Sequence, residues 1–282
     1  MVICQSVFRN ALMSLHYPHA SPPLAGETIE VAPGVFWLRM PLPFQLDHIN
    51  LWLLRDGNGW VIIDTGFPED HVRETWSLIL DRLDGPVNKL VVTHFHPDHF
   101  NRDILSWKEQ RPDIRYIFSK DILKHRRATA EDAVYINKGD VYEDENIRIE
   151  AFGSTDVGIS FLIDLQGVRL FHAGDLNNWH WSEESTPQEI RKAEGDFLAE
   201  IKNLQQKAPR VDIAMFPVDS RIGKDYMRGA EQFVERIKTA IFAPMHFSED
   251  YRGGNAFRTF AESRGCRFLT ISRRGESFDI TK

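Results

Sequence analysis

The stretch Thr93-His94-Phe95-His96-Pro97-Asp98-His99 follows the apolar run KLVVT (residues 89 to 93) and precedes Asn101, a residue suited to cap a helix through Ile104, Leu105 and Trp107. Four potential metal ligands are thereby concentrated in one loop that leaves the end of a sheet. His94 and His96, two residues apart, can converge on one ion, while Asp98 and His99, beyond Pro97, can reach a second. An HxHxDH match arises by chance about once in a thousand chains of this composition. Buried together without a metal, three imidazoles and a carboxylate would leave several polar groups unsatisfied, each costing about 1 to 3 kcal/mol.

Outward from this loop the pattern is β-rich, then alternating. TIEVAPGVFWLRM, INLWLLRD and WVIIDTG read as antiparallel strands from Thr28 onward, with Asn58-Gly59 as the hairpin signal. Val72, Trp76, Ile79, Leu80 and Leu83 lie at helical spacing and Gly85-Pro86 stops that helix. IRYIF and a short helix near Ile122 follow, then strands at 146–152, 159–165 and 168–172. The remainder alternates: a helix from Pro187 to Lys207, strand DIAMF, a helix from Asp225 to Lys238, strand AIFAP, a helix from Asn255 to Ser263, and edge strands. Two halves of this kind predict an α/β protein with two mixed β-sheets packed face to face and helices outside.

Of the 282 residues, 42% are hydrophobic and 27% charged, enough for a substantial core, and the net charge of -7 supplies no basic field for a nucleic-acid backbone. Nucleic acid is therefore not the expected partner. Two cysteines, Cys4 and Cys266, provide neither a disulfide framework nor a CxxC metal pair, so a reducing cytoplasm is expected. No apolar run approaches the roughly 18 residues of a bilayer span. Residues 1–27 read as a poorly structured extension, with Met13 as an alternative start, and 28–282 as a single domain.

In order along the chain, IIDTG with Asp64, the motif His94 to His99, FHAGD with Asp175 and APMH with His246 resemble motifs of the metallo-β-lactamase superfamily. The resemblance runs from about Thr28 to the end and implies a four-layer αββα sandwich. It implies His94 and His96 as ligands of one metal position, Asp98, His99 and His246 of a second, Asp175 as a bridge, and Asp64 as a support that does not ligate. Where this family has a histidine in a GHSxGS-like segment, the chain reads Gly153-Ser154-Thr155-Asp156-Val157-Gly158. Thr155 stands in the histidine's place, so one ligand of the first position is missing unless Asp156, His172 or His180 takes its place, with Asp156 the first candidate. His172 reads as the close of a strand, and His180, in LNNWHWSEES, as a lid over the pocket. DHINLWLLRDG and IIDTG are similar to a glyoxalase- or lactonase-like branch. NRDILSWKEQRPD, GSTDVGISFLI, FHAGDLNNWHW and FPVDSRIGKDYMRGA are similar to a small bacterial branch of predicted hydrolases. The chain thus reads as a recombinant of two branches joined near the HxHxDH motif.

The chemistry expected is hydrolysis by hydroxide generated on a divalent ion, with Asp98 and Asp175 as the catalytic carboxylates. Zinc suits a His-rich site, one or two ions; manganese or iron also fit a site containing carboxylates. The expected substrate is a small-molecule ester, lactone, thioester or amide, β-lactams included, with Arg221, Lys224 and Tyr226 as candidate contacts. The alternatives are a phosphodiesterase or nuclease of the same fold, and a non-catalytic protein with a degraded metal site.

Overall fold

Along the strand Gly59–Ile63, Val61 and Ile63 face one apolar cluster and Trp60 and Ile62 another, all four buried. A strand apolar on both faces must be covered on both. In the computed structural model, which describes residues 26–41, 48–247 and 250–271, one cover is a second sheet and the other a layer of helices. The extension expected over residues 1–27 lies outside the described residues except for Gly26 and Glu27, as do the end of the chain beyond Ile271 and any edge strand there.

The first sheet has the order β1 (Thr28–Ala32), β2 (Val35–Pro41), β3 (His48–Asp56), β4 (Gly59–Ile63), β5 (Val87–Val92), β6 (Arg115–Ser119), β7 (Val134–Ile136). The second runs in reverse from β14 (Arg267–Phe268) through β13 (Lys238–Met245), β12 (Arg210–Pro217), β11 (Val168–His172), β10 (Ile159–Leu165) and β9 (Ile147–Gly153) to β8 (Val141–Glu143). In each sheet the first four strands are antiparallel to their neighbours and the last three add in parallel. Ile149, Phe161 and Ile163 of the second sheet meet Val61, Ile63 and Val91 of the first between the layers.

Helix α1 (Asp70–Arg82) covers the outer face of the first sheet through Val72, Trp76 and Ile79. The short α2 (Trp107–Gln110) and α3 (Lys120–Lys124) flank it. Helix α4 (Pro187–Lys207) starts on a capping box, in which Thr186 and Glu189 each accept from the other's backbone N–H, with Pro187 at the first turn. Its Phe197, Ile201 and Leu204 cover the second sheet together with α5 (Arg228–Arg236) and α7 (Arg258–Ser263), which follows α6 (Tyr251–Ala256). Helices, sheet, sheet and helices form the four layers expected.

Three local expectations shift. The β3–β4 turn is Gly57-Asn58, because Asp56 pairs with Gly59 and Gly57 takes φ +60°, the first-position glycine of a tight hairpin. The helix expected after Asn101 is a 3-10 turn, Arg102–Ser106, before the single turn of α2; Asn101 does cap it, accepting from the Asp103 N–H. The helix expected from Asp225 begins at Arg228, since residues 223–226 form a turn of their own.

Candidate metal centre

Five strand ends supply the residues of the site, four of them expected and one, Asp219, not. Asp64 follows β4, the loop Thr93–His99 follows β5, Asp175 follows β11, Asp219 follows β12 and His246 follows β13. The carboxyl ends of parallel strands are where α/β proteins form their ligand crevices.

The metal loop is held by Asp64-Thr65. Asp64, at φ +58°, accepts from the Thr93 N–H at 2.9 Å and from the Thr93 hydroxyl, and its Oδ2 lies 2.8 Å from Nδ1 of His99. Thr65 donates both its N–H and its hydroxyl to the His99 carbonyl and accepts from the Asn101 N–H. A backbone turn through His96 closes the loop, with the N–H groups of His99 and Phe100 both bonded to the His96 carbonyl. Both oxygens of Asp64 are thus engaged by protein donors. Burial alone would raise its pKa, but His99 and the Thr93 N–H outweigh that and hold the carboxyl below its ordinary range. Burial likewise disfavours the His99 cation, yet Asp64, Asp98 and Asp175 push that ring up to about 10.

The structure brings one ligand atom each of His94, His96 and Asp175 within 4.8 Å of one another, the one group of this kind among the described residues. His94 Nε2 is 3.4 Å and His96 Nδ1 4.0 Å from Asp175 Oδ2, while His246 Nε2 is 3.6 Å from Asp175 Oδ1. His99 turns Nε2 toward Asp98 Oδ2 at 3.6 Å. Nε2 of His94 and Oδ1 of Asp175 are buried and make no hydrogen bond. Burial, reinforced by the neighbouring His99, His96 and His246, lowers the His94 pKa well below the ordinary imidazole value. Burial also raises that of Asp175, against the pull of His99 and His246. A neutral imidazole nitrogen and a carboxylate oxygen in one cluster, both buried and without a hydrogen bond, are the donor set a divalent cation takes, so the residues fit the metal that the sequence implies.

His246 is oriented by Asp219, a residue that the sequence reading passed over. The Asp219 carboxylate, 1% exposed, accepts from Nδ1 of His246 at 2.8 Å and from the Arg221 guanidinium and backbone N–H. Burial would raise its pKa, but His246 and Arg221 bring it down to about 2. A carboxylate behind a ligating histidine fixes the ring's tautomer and direction. A signal was present: PVDS repeats the strand-then-aspartate pattern of IIDTG.

The other expected residues divide. Arg221 reaches the site, 3.2 Å from His246 Nδ1, but its charge faces Asp219. The Tyr226 hydroxyl instead donates to the Gly253 carbonyl, and exposed Lys224 bonds Glu183 through its backbone. Thr155 ties two loops together, its hydroxyl donating to the Asn177 carbonyl and accepting from the Asn177 N–H at 3.1 Å. Asp156 is exposed and stands outside the three-residue group, though its charge helps raise the Asp175 pKa. Gly158, at φ +74°, lets this turn close on the metal loop: a Cβ there would meet Cβ of His94 at 2.4 Å. His172 is buried, lowered to about 4 chiefly by burial, and its Nδ1 accepts from the Gly174 N–H. His180 is no lid: it is 1% exposed, with Nδ1 bonded to the Asn178 carbonyl. From the same run it is Trp179 that borders the site, its Nε1 donating to the Asp175 carbonyl and its ring 5.4 Å from that of His246.

The model of the metallo-beta-lactamase superfamily matches residues 45–176, from β3 through Asp175. Among solved structures, YhfI of Bacillus subtilis, a metallo-beta-lactamase fold protein, superposes with TM-score 0.56 at 10% identity, over 83% of this chain and 92% of that one. Igni18, a metallo hydrolase of the archaeon Ignicoccus hospitalis, gives 0.53 at 16%, over 82% and 95%. A beta-lactamase domain protein from Burkholderia ambifaria is 28% identical over 69% of each chain, with TM-score 0.48. Residues 45–176 thus match the metallo-β-lactamase superfamily, whose usual chemistry is metal-dependent hydrolysis, and the chain carries the metallo-β-lactamase fold.

Proposed function

We propose that this protein is a metal-dependent hydrolase of small carbonyl substrates: an ester, lactone, thioester or amide, β-lactams included. The observation that carries the reading is the unpartnered buried pair, His94 Nε2 and Asp175 Oδ1, beside His96. His94, His96 and Asp175 would hold one divalent ion, and Asp98, His99 and His246 with Asp175 a second, with zinc as the ion proposed. Such an ion, when bound, acidifies water to near neutrality and polarises the bond to be cleaved.

The chain's own residues supply the rest. Asp98, whose side chain is 47% exposed, is the carboxylate free to accept a proton from attacking water at the mouth. Asp64 and Asp219 hold the rings of His99 and His246 by Nδ1, leaving Nε2 of each directed inward. The sheet ends and the buried faces of His94 and Asp175 keep bulk water from the floor, where electrostatic interactions are strongest. With no helix among the described residues long and apolar enough to cross a membrane, and Cys266 a free buried thiol, we place this activity in the cytoplasm.

The test is metal-stripped protein reloaded with zinc, manganese or iron, assayed on chromogenic esters, lactones, thioesters, amides and β-lactams beside a phosphodiester. Metal-dependent turnover of a carbonyl substrate is expected. Turnover of the phosphodiester alone would replace the reading with a phosphodiesterase. None in metal-replete protein would leave a non-catalytic metal site.

A further inference from the structure

Beyond the metal ligands, one surface of the site is built from aromatic rings. Trp179 is half-buried, tied by Nε1 to the Asp175 carbonyl, with its ring edge-on to His246. Trp181 stacks on Trp179, centroids 6.3 Å apart and planes 18° from parallel, and is 36% exposed. Among the described residues every other Phe, Tyr and Trp whose burial is given is buried or half-buried. Across the metal loop, Phe95 adds a half-buried ring 4.8 Å from His96, stacked on His125 at 3.9 Å.

Trp181 is held outward against a conformational cost. Its φ is +43°, a left-handed backbone that a bulky side chain rarely adopts and that persists only where the surroundings enforce it. Those restraints are visible. The Trp181 carbonyl accepts from the N–H groups of Glu184 and Ser185, the Ser182 hydroxyl donates to Asp225 at 3.0 Å, and Glu183 accepts from the Lys224 N–H. Below, Asn177 and Asn178 press against Gly229, where a Cβ would meet Asn177 Oδ1 at 1.9 Å. A loop braced at this many points keeps a tryptophan face in solvent beside the site, where hydrophobic burial would otherwise draw it inward. An exposed aromatic face is most favourably covered by a planar ring, stacked with offset or met edge to face.

We propose that Trp181, backed by Trp179, is the specificity surface of this site, and that it takes a planar aromatic group attached next to the scissile carbonyl. The inference rests on the hydrolase reading for the reaction, though not for the binding. Acetyl, benzoyl and 2-naphthoyl thioesters of one small thiol compare the acyl groups directly, with the metal-loaded protein and its Trp181→Ala variant. The naphthoyl-to-acetyl ratio of kcat/KM should favour naphthoyl in the parent and fall by roughly 3- to 10-fold in Trp181→Ala, the scale of one aromatic contact. In parallel, equilibrium dialysis of 2-naphthylacetate and of acetate against metal-free protein reads binding without turnover. The naphthyl ligand should bind more tightly, and lose that advantage by a similar factor in Trp181→Ala, at unchanged thermal midpoint. Thioester turnover with no aromatic preference, or a preference that Trp181→Ala leaves intact, overturns the proposal while the hydrolase reading stands. No turnover of any thioester, with naphthylacetate binding still dependent on Trp181, removes thioesters from the hydrolase reading and keeps the aromatic surface; naphthylacetate binding no tighter than acetate, or indifferent to Trp181→Ala, overturns the aromatic surface.

Discussion

Asp64 and Asp175 occupy corresponding places in the two sheets. Each follows the fourth strand of its half, β4 or β11, where an antiparallel meander gives way to parallel strands. Their surroundings are opposite. Asp64 receives three protein donors and pairs with His99, so its carboxyl is held low; Asp175 keeps an oxygen with no donor, and burial pushes its carboxyl up. One half therefore spends its strand-end aspartate on its own architecture, and the other leaves it unsatisfied at a point where three imidazoles converge. An unpaired buried carboxylate costs free energy in the metal-free protein and becomes an asset only when a cation arrives. Asp64 is engaged by its own fold and Asp175 is left open, as the proposed ligand role requires, although both are strand-end aspartates in the sequence.

The largest effect that could break this contrast is on activity. Asp175→Asn should lower kcat/KM on the best substrate by about a thousand-fold and empty the protein of metal by elemental analysis, since several kcal/mol of charge stabilisation depend on the ion. Full turnover in this variant would show that Asp175 is not a ligand.

Folding stability should invert the ranking. In urea titrations of metal-free protein at neutral pH, Asp64→Asn should cost about 3 kcal/mol by leaving His99 buried without its partner. Asp175→Asn should cost nothing or stabilise, because it removes the unpaired charge. Equal losses from the two would mean that both aspartates are structural.

A smaller effect is expected behind His246. Asp219→Asn should weaken metal affinity by roughly 10- to 100-fold without removing a ligand. Competition with a chromophoric chelator checks this, and an unchanged affinity would separate Asp219 from the metal centre.

The smallest concerns how the halves are joined away from the site. Lys89 of β5 bridges to Asp144, between β8 and β9, at 2.8 Å, and also contacts Asp56. Burial opposes both charges, yet their hydrogen bonds prevail, so the Lys89 pKa is raised and that of Asp144 lowered. A depressed carboxyl contributes stability above its unfolded pKa, about 3.9, and loses it as pH falls. A raised lysine contributes below about 10.4 and loses it as pH rises further. Asp144→Asn should therefore cost about 1 kcal/mol at pH 7 and progressively less below pH 4. A cost independent of pH would assign the loss to the Asn146 and Ile147 N–H groups that Asp144 also accepts.

The sequence by itself determined the elements and the cluster of candidate ligands. Strand alternation and helical spacing are local, period-2 and period-3.6 properties, and His94, His96, Asp98 and His99 lie within six residues, so both were legible from neighbours in the chain. The tertiary structure alone decided what each residue near the ligands does. His99 meets Asp64 across 35 positions and His246 meets Asp219 across 27, and these pairings depend on the register of parallel strands that no local pattern encodes. The same holds where expectation and structure part: His180 turned inward and Trp179 toward His246 differ by one residue, and the Tyr226 hydroxyl was taken by Gly253. Which of two neighbouring side chains faces a crevice is set by loop backbone and by the packing behind it. That information enters only when distant segments, such as Gly229 beneath Asn177, come into contact.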